Sequence, residues 1–241
     1  MELLRLIQER RSQRGPYDPQ RPISKENVRQ IVEAARWAPT AHNMQNFQVV
    51  VIDDTEVLQA IGKTGFSLSE EFVRENYRQL SFSEEELAAK KVGVLGTMFP
   101  PFMRKPDFRL SDLTEEEKKG AASRVPLQAT SVMLVVLYDP AERAPASEGD
   151  FLGIISLGCV MENMWLMASS LGIGLHIVSS LAAGPAEIAL KRLLEIPANL
   201  KVAFTCRLGY PVGQQGSYLR VRRGVEDFAH HNRFGEKGLG E

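Results

Sequence analysis

The chain has 241 residues, is 44% apolar and 24% charged, and carries a formal net charge of -1. Such values suit an ordinary globular fold long enough to bury a core. They exclude a global field that would draw the chain to nucleic acid or to an anionic membrane.

Leu3, Leu4, Leu6 and Ile7 fall at helical spacing within Glu2–Arg10. The same segment ends in Glu9-Arg10-Arg11-Ser12-Gln13-Arg14, three guanidinium groups and a hydroxyl within one or two turns. Arginine grips phosphate well because its planar fork donates two parallel hydrogen bonds. Basic residues at a helix end also suit the helix dipole, so this run alone does not define a site.

Ser24 is a good N-cap, with Ile23 and Val28 at the two positions of a hydrophobic staple. Val28, Ile31, Val32 and Ala35 form one stripe, and Pro39 stops the helix. An amide-rich loop follows, Pro39-Thr40-Ala41-His42-Asn43-Met44-Gln45-Asn46, running into Phe47–Ile52, which reads as a buried strand. Helical patterns come near Glu56–Ile61 and Glu70–Tyr77, and Ser83 and Thr114 each open a capping-box sequence. The Pro-rich, aromatic stretch 96–106 reads as irregular and as a candidate lid.

Ser131–Tyr138, Gly174–Ser180 and Leu200–Leu208 read as strands, and Pro185 opens a helix over Ala186–Leu194. The apolar run Phe151–Ile173 is as long as a membrane span, but Glu162 and Asn163 at its middle favour a mostly buried core helix. After Pro211 a polar tail carries Arg220, Arg222 and Arg223. A single α+β domain over 1–241 is the economical reading, with a variable region at about 62–125 and a C-terminal arm at about 211–241.

Two apparent nucleotide motifs fail on context. Gly62-Lys63-Thr64 lacks the glycine a P-loop needs at Val57 and follows a helical pattern rather than a strand. Gly172-Ile173-Gly174 would need a third glycine at Ile177, and it sits in helix–turn–strand order; a Schellman stop at Gly172 explains it better. His42, His176, His230 and His231 have no metal-ligand spacing, and no nucleophile elbow is present. His176 reads as a core histidine and His230-His231 as solvated. Two cysteines, Cys159 and Cys206, are too few for a disulfide framework, and the N-terminal residues lack a secretion-signal pattern. A reducing, cytoplasmic setting is the simplest expectation.

Four segments, in this order, resemble the FMN-dependent nitroreductase family: the Arg-Arg-Ser-x-Arg element, the 39–46 loop, the glycine turn into Leu175–Ser180, and the Arg cluster after Leu208-Gly209-Tyr210-Pro211. The resemblance implies a nitroreductase-like α+β fold, a central, mainly antiparallel β-sheet flanked by helices, in an intertwined homodimer with FMN at the interface. It implies that Arg10, Ser12 and Arg14 line one side of the flavin with Arg11 beside them. Pro39, Thr40, Asn43 and Gln45 would come from the partner subunit. Ile177, Ser179 and Ser180 would pass near the reactive edge, and Arg220 and Arg222 would return to the phosphate. The family's second hydroxyl position is here Ala41, and its proline after the glutamine is here Asn46.

The implied activity is ping-pong hydride transfer from NADH or NADPH to a nitroaromatic, quinone or similar small-molecule acceptor, with no protein nucleophile and no metal. Two alternatives stay open: the same fold with flavin-destroying or reductive dehalogenating chemistry, and a non-catalytic flavin-binding dimer.

Overall fold

The computed structural model describes residues 2–64, 81–96, 109–114, 130–147, 149–182, 184–213 and 219–238. These divide into two compact units, one within 1–66 and 123–215, the other within 67–122 and 216–241. The helix expected near Glu70–Tyr77, the helix after Thr114 and nearly all of the 96–106 stretch lie outside the described residues.

In the first unit, α1 spans Glu2–Glu9, α2 Lys25–Arg36 and α3 Thr55–Lys63. The second unit contains β2 (Ser81–Phe82), α4 (Glu84–Lys90) and β3 (Val94–Leu95). The first unit is completed by β1 (Gln48–Ile52), β4 (Val132–Tyr138), α5 (Phe151–Ser170), β5 (Gly174–Ile177), α6 (Gly184–Leu193) and β6 (Lys201–Gly209). Strands β1, β4, β6 and β5 form a sheet in that order, and every pairing is antiparallel.

Both faces of this sheet are covered. Leu134, Val136, Phe204, Cys206 and Leu208 pack with Val28, Ile31 and Ala35 of α2 and with Val160 and Met164 of α5. Met133, Val135, Leu137 and Val202 point the other way, onto Leu58 and Ile61 of α3 and Ala186 and Leu190 of α6. Two covered faces explain why β4 is a continuous apolar run rather than an alternating one.

Local signals act as the sequence suggests. Ser24 Oγ accepts from the Asn27 N–H, and Ile23 and Val28 are both buried beside it. Ser83 forms the full capping box with Glu86. Gly172, at φ +67°, closes α5 as a Schellman stop, with Gly172 N–H donating to Ser169 O and Ile173 N–H to Ala168 O. Gly62 lies inside α3, where no phosphate loop can form.

Three expectations need correction. Phe47–Ile52 is not a buried strand: β1 is a sheet edge, and Val51 is exposed. Helix α5 buries one face only, including Leu157, Val160, Met164 and Ala168, while Phe151, Ile154 and Ile155 at its start are exposed. His230 is half-buried rather than solvated, with Nδ1 accepting from the Gly235 N–H.

Candidate functional site

The Arg-rich element is fastened across one end of the sheet. Ser12 bridges Leu175 of β5 in parallel fashion, and the Gln13 N–H donates to Leu175 O at 3.0 Å. Farther along, Tyr17 bridges Pro211, and the Asp18 N–H donates to Tyr210 O at 2.8 Å. Close approach is possible because two strand residues lack a Cβ. A methyl at Gly174 would stand 2.8 Å from Gln13 Cγ, and one at Gly209 would stand 2.2 Å from Tyr17 Cγ. The Tyr17 hydroxyl donates to Gln13 O and to Arg207 O, and burial pushes its pKa up despite Arg207 pulling it down.

Arg10 follows the last turn of α1 and lies on α5. Its guanidinium carbon is 4.3 Å from the Trp165 ring centroid, a cation–π contact. Trp165 Nε1 donates to Arg11 O at 3.2 Å, pinning the backbone beside it. Glu162 Oε1 stands 3.3 Å from Arg10 Nε, close enough for an ion pair. The approach is off the N–H direction, so this buried donor makes no hydrogen bond. Arg11 and Arg14 are exposed, and Ser12 is half-buried.

The 39–46 loop is fixed elsewhere. Its short 3-10 turn covers Ala41–Asn43, and the Ala41 N–H donates to Ser156 Oγ of α5. His42, Asn43 and Gln45 all have positive φ, between 45° and 52°. Such a run of left-handed non-glycine residues costs energy and concentrates at functional sites. Thr40 Oγ1 accepts from the Gln45 N–H, and Gln45 Nε2 donates to Asn43 Oδ1, which holds the strained turn together. Pro39, Asn43 and Gln45 are exposed. Asn46 points inward instead: it is 4% exposed, and both polar atoms of its amide lack a hydrogen-bond partner.

Ser156 and Trp165 anchor the two elements nine residues apart on α5, or about 13 Å along the helix axis. Within one protomer, therefore, the loop and the Arg element are fastened to different stretches of one helix. Ile177 ends β5 half-buried, and Ser179 and Ser180 follow in a 3-10 turn, exposed and half-buried. Arg220 and Arg222 belong to the arm of the second unit, where both are exposed and Arg222 Nη1 donates to Val221 O.

Behind Gln13–Gly15 lies a polar cluster in which the sequence reading recognised His176 as a core histidine but passed over Arg207. Arg207 of β6 is fully buried and pairs across the sheet with His176. Burial first, then Arg207 and Arg14, hold the His176 pKa down at about 3. Cys206 is buried too, and desolvation pushes its thiol up to about 12. Trp165 and Ser156 were likewise hidden in an apolar helix, and Glu162 was read only as evidence against a membrane span. An arginine set between the apolar Cys206 and Leu208 of β6 was the one visible signal for Arg207.

The donor set fits an anionic, amide-edged cofactor. Arg10 has a buried donor without an acceptor, Ser12 and Arg14 leave the same backbone, and Asn43 and Gln45 present amides that can donate and accept. Among the described residues no cluster of histidine, cysteine and carboxylates could hold a metal.

A family model described as the nitroreductase family matches residues 7–210. An NADPH-dependent oxidoreductase of Staphylococcus saprophyticus is 22% identical over 88% of this chain and 67% of its own. A nitroreductase of Bacteroides fragilis, solved with bound FMN, is 19% identical with a TM-score of 0.55 and covers 100% of both chains. An FMN-dependent nitroreductase of Clostridium difficile is 16% identical with a TM-score of 0.58, over 95% of this chain and 98% of that one.

Proposed function

Because the chain belongs to the nitroreductase family, we propose that it is an FMN-dependent NAD(P)H oxidoreductase, active as a homodimer. Its acceptors are nitroaromatics, quinones or similar small molecules. The observation that carries this reading is the Arg10–Arg14 segment, locked across the end of β5 and β6 with Arg11 and Arg14 exposed and Arg10 half-buried beside them. When bound, FMN supplies two-electron hydride chemistry, taken from NADH or NADPH and given to the acceptor in a ping-pong cycle.

Each protein group then has a task. Arg10, Arg220 and Arg222 neutralise the phosphate dianion, with Arg11 adding positive potential beside them. Arg14 offers a fixed cation to the edge of the ring that becomes negative on reduction. Ser12 adds a hydroxyl. Asn43 and Gln45, with Pro39 and Thr40 shaping their loop, serve the pyrimidine edge and ribityl hydroxyls from the partner subunit. Ile177 would lie beside the ring, and a backbone N–H of Ser179 or Ser180 would serve its reactive edge. One domain, including the C-terminal arm, serves this single site.

The need for a second copy is supported by the separation of the two elements along α5. Exposed apolar residues on α1 (Leu3, Leu4, Ile7) and on α5 (Phe151, Ile154, Ile155) supply a surface for it. Both cysteines are free, which suits a reducing cytoplasm.

The test is the visible absorption spectrum of fresh protein, followed by anaerobic addition of NADH or NADPH. A yellow protein that bleaches supports the oxidoreductase. A colourless protein that takes up no added FMN overturns it. Replacing Arg10 and Arg222 together by alanine should strip FMN and leave the apo-protein folded.

A further inference from the structure

Arg207 has no exposed surface, and its hydrogen-bond partners are neutral carbonyls and an imidazole rather than a carboxylate. It follows Phe204, Thr205 and Cys206 and precedes Leu208 in β6. Arginine keeps its proton, so burial takes a full cation out of water. Burial lowers its pKa, and the interaction acting the other way is with the Tyr17 hydroxyl, not with a carboxylate. Methionine or leucine would fill comparable space without that desolvation cost.

What the guanidinium does hold is backbone. Nη2 faces three consecutive carbonyls, Gln13 O at 3.3 Å, Arg14 O at 2.8 Å and Gly15 O at 2.7 Å. Nε donates to His176 Nδ1 at 3.2 Å, and the Tyr17 ring lies under Cζ at 4.5 Å. Nη1 is buried without a partner. Since Arg207 can only donate, His176 Nδ1 must carry the lone pair, and the ring proton sits on Nε2. Residues 13–15 belong to neither α1 nor a strand. Gathering their carbonyls on one fork fixes the direction in which Ser12 and Arg14 leave the chain.

We propose that Arg207 is the positioning residue of the flavin-binding segment: it sets the 13–15 turn from behind and places beneath that turn a buried positive charge with no carboxylate partner among the described residues. The inference rests on the FMN reading given above. Two consequences are separable, because the fork acts on affinity and the charge acts on potential.

The test compares wild-type holoprotein with Arg207→Met and Arg207→Lys. It reads the FMN dissociation constant of each apo-protein by fluorescence titration, the midpoint potential of bound FMN, and the apo-protein melting temperature. Arg207→Met should weaken FMN about tenfold or more, the scale of lost charged hydrogen bonds, and shift the potential negative. Arg207→Lys keeps the charge and loses the fork, so its potential should stay near wild type while FMN remains weakened. Wild-type affinity and potential in both variants, with only a lower melting temperature, would show a merely structural arginine and overturn the proposal. A wild-type protein that binds no FMN overturns the functional reading instead, before any variant is made. If Arg207→Met does not fold, His176→Phe replaces it. That change removes the acceptor of Nε and leaves the charge, so FMN should weaken about threefold, on the scale of one hydrogen bond. Unchanged affinity in both His176→Phe and Arg207→Lys overturns the proposal.

Discussion

Gly209 lies against the root of the Tyr17 side chain: a methyl at 209 would stand 2.2 Å from Tyr17 Cγ and 2.4 Å from its Cβ. Those atoms cannot swing aside as the tip of a long side chain can. Gly209→Ala should therefore lift the Ser12–Asp18 segment from the sheet and cost at least about 2 kcal/mol, measured by urea unfolding. Gly174→Ala meets the more flexible Gln13 side chain first and should cost less. Equal stability of Gly209→Ala and wild type would mean that the segment does not need this close approach.

Glu162 beside Arg10 competes for the same cation that the proposed phosphate needs. Its side chain is 41% exposed, so the pair itself adds little stability, and Glu162→Gln should cost under about 1 kcal/mol. On the FMN reading the same change should tighten cofactor binding about two- to fivefold, a gain of the size of an exposed ion pair. Weaker binding in Glu162→Gln would instead make the carboxylate an aid to Arg10. Fluorescence titration of the apo-protein decides.

The two thiols should differ sharply in reactivity. Cys206 is fully buried in β6 with its thiol pushed up to about 12, whereas Cys159 on α5 is half-buried. Native protein treated with a thiol reagent at pH 8 should release at most one equivalent quickly, and Cys159→Ser should abolish that phase. Cys206 should react only as the protein unfolds, because the thiolate is the attacking form.

How much of this was legible beforehand depends on the range of the cause. Ser24, Ile23 and Val28 start α2 through contacts within five residues, and Gly172 ends α5 the same way, so both signals could be read directly. Burial of β1 could not, because its place at the sheet edge is fixed by β4, some eighty residues away in sequence. The Arg-Arg-Ser-x-Arg run was visible as a run. Its supports were not: Trp165 lies beneath Arg10 and Arg207 behind Gln13–Gly15, at separations of more than 150 and 190 residues. An arginine between apolar residues of a strand was the available hint, and its meaning depended on which backbone crossed above it. Likewise, the loop's amides were plain, but the left-handed backbone at His42, Asn43 and Gln45 and the tie of Ala41 to Ser156, more than a hundred residues away, were not.

His176 gives the protein a defined acid sensitivity. In the unfolded chain this ring takes up a proton near 6.5, while in the fold burial and the neighbouring Arg207 and Arg14 delay protonation until about 3. Between those values the unfolded state binds more protons, so acid favours unfolding. The stability that depends on a neutral His176 is complete above pH 6.5 and drains away as pH falls toward 3, by up to about 1.4 kcal/mol per pH unit. The Nδ1 lone pair that accepts from Arg207 is what protonation would remove. His176→Gln cannot titrate and still offers an acceptor. Urea unfolding at pH 7.5 and pH 5 should therefore show a clear loss for the wild type and a much smaller one for His176→Gln. Parallel losses in the two proteins would assign the acid sensitivity to other groups and leave His176 without this role.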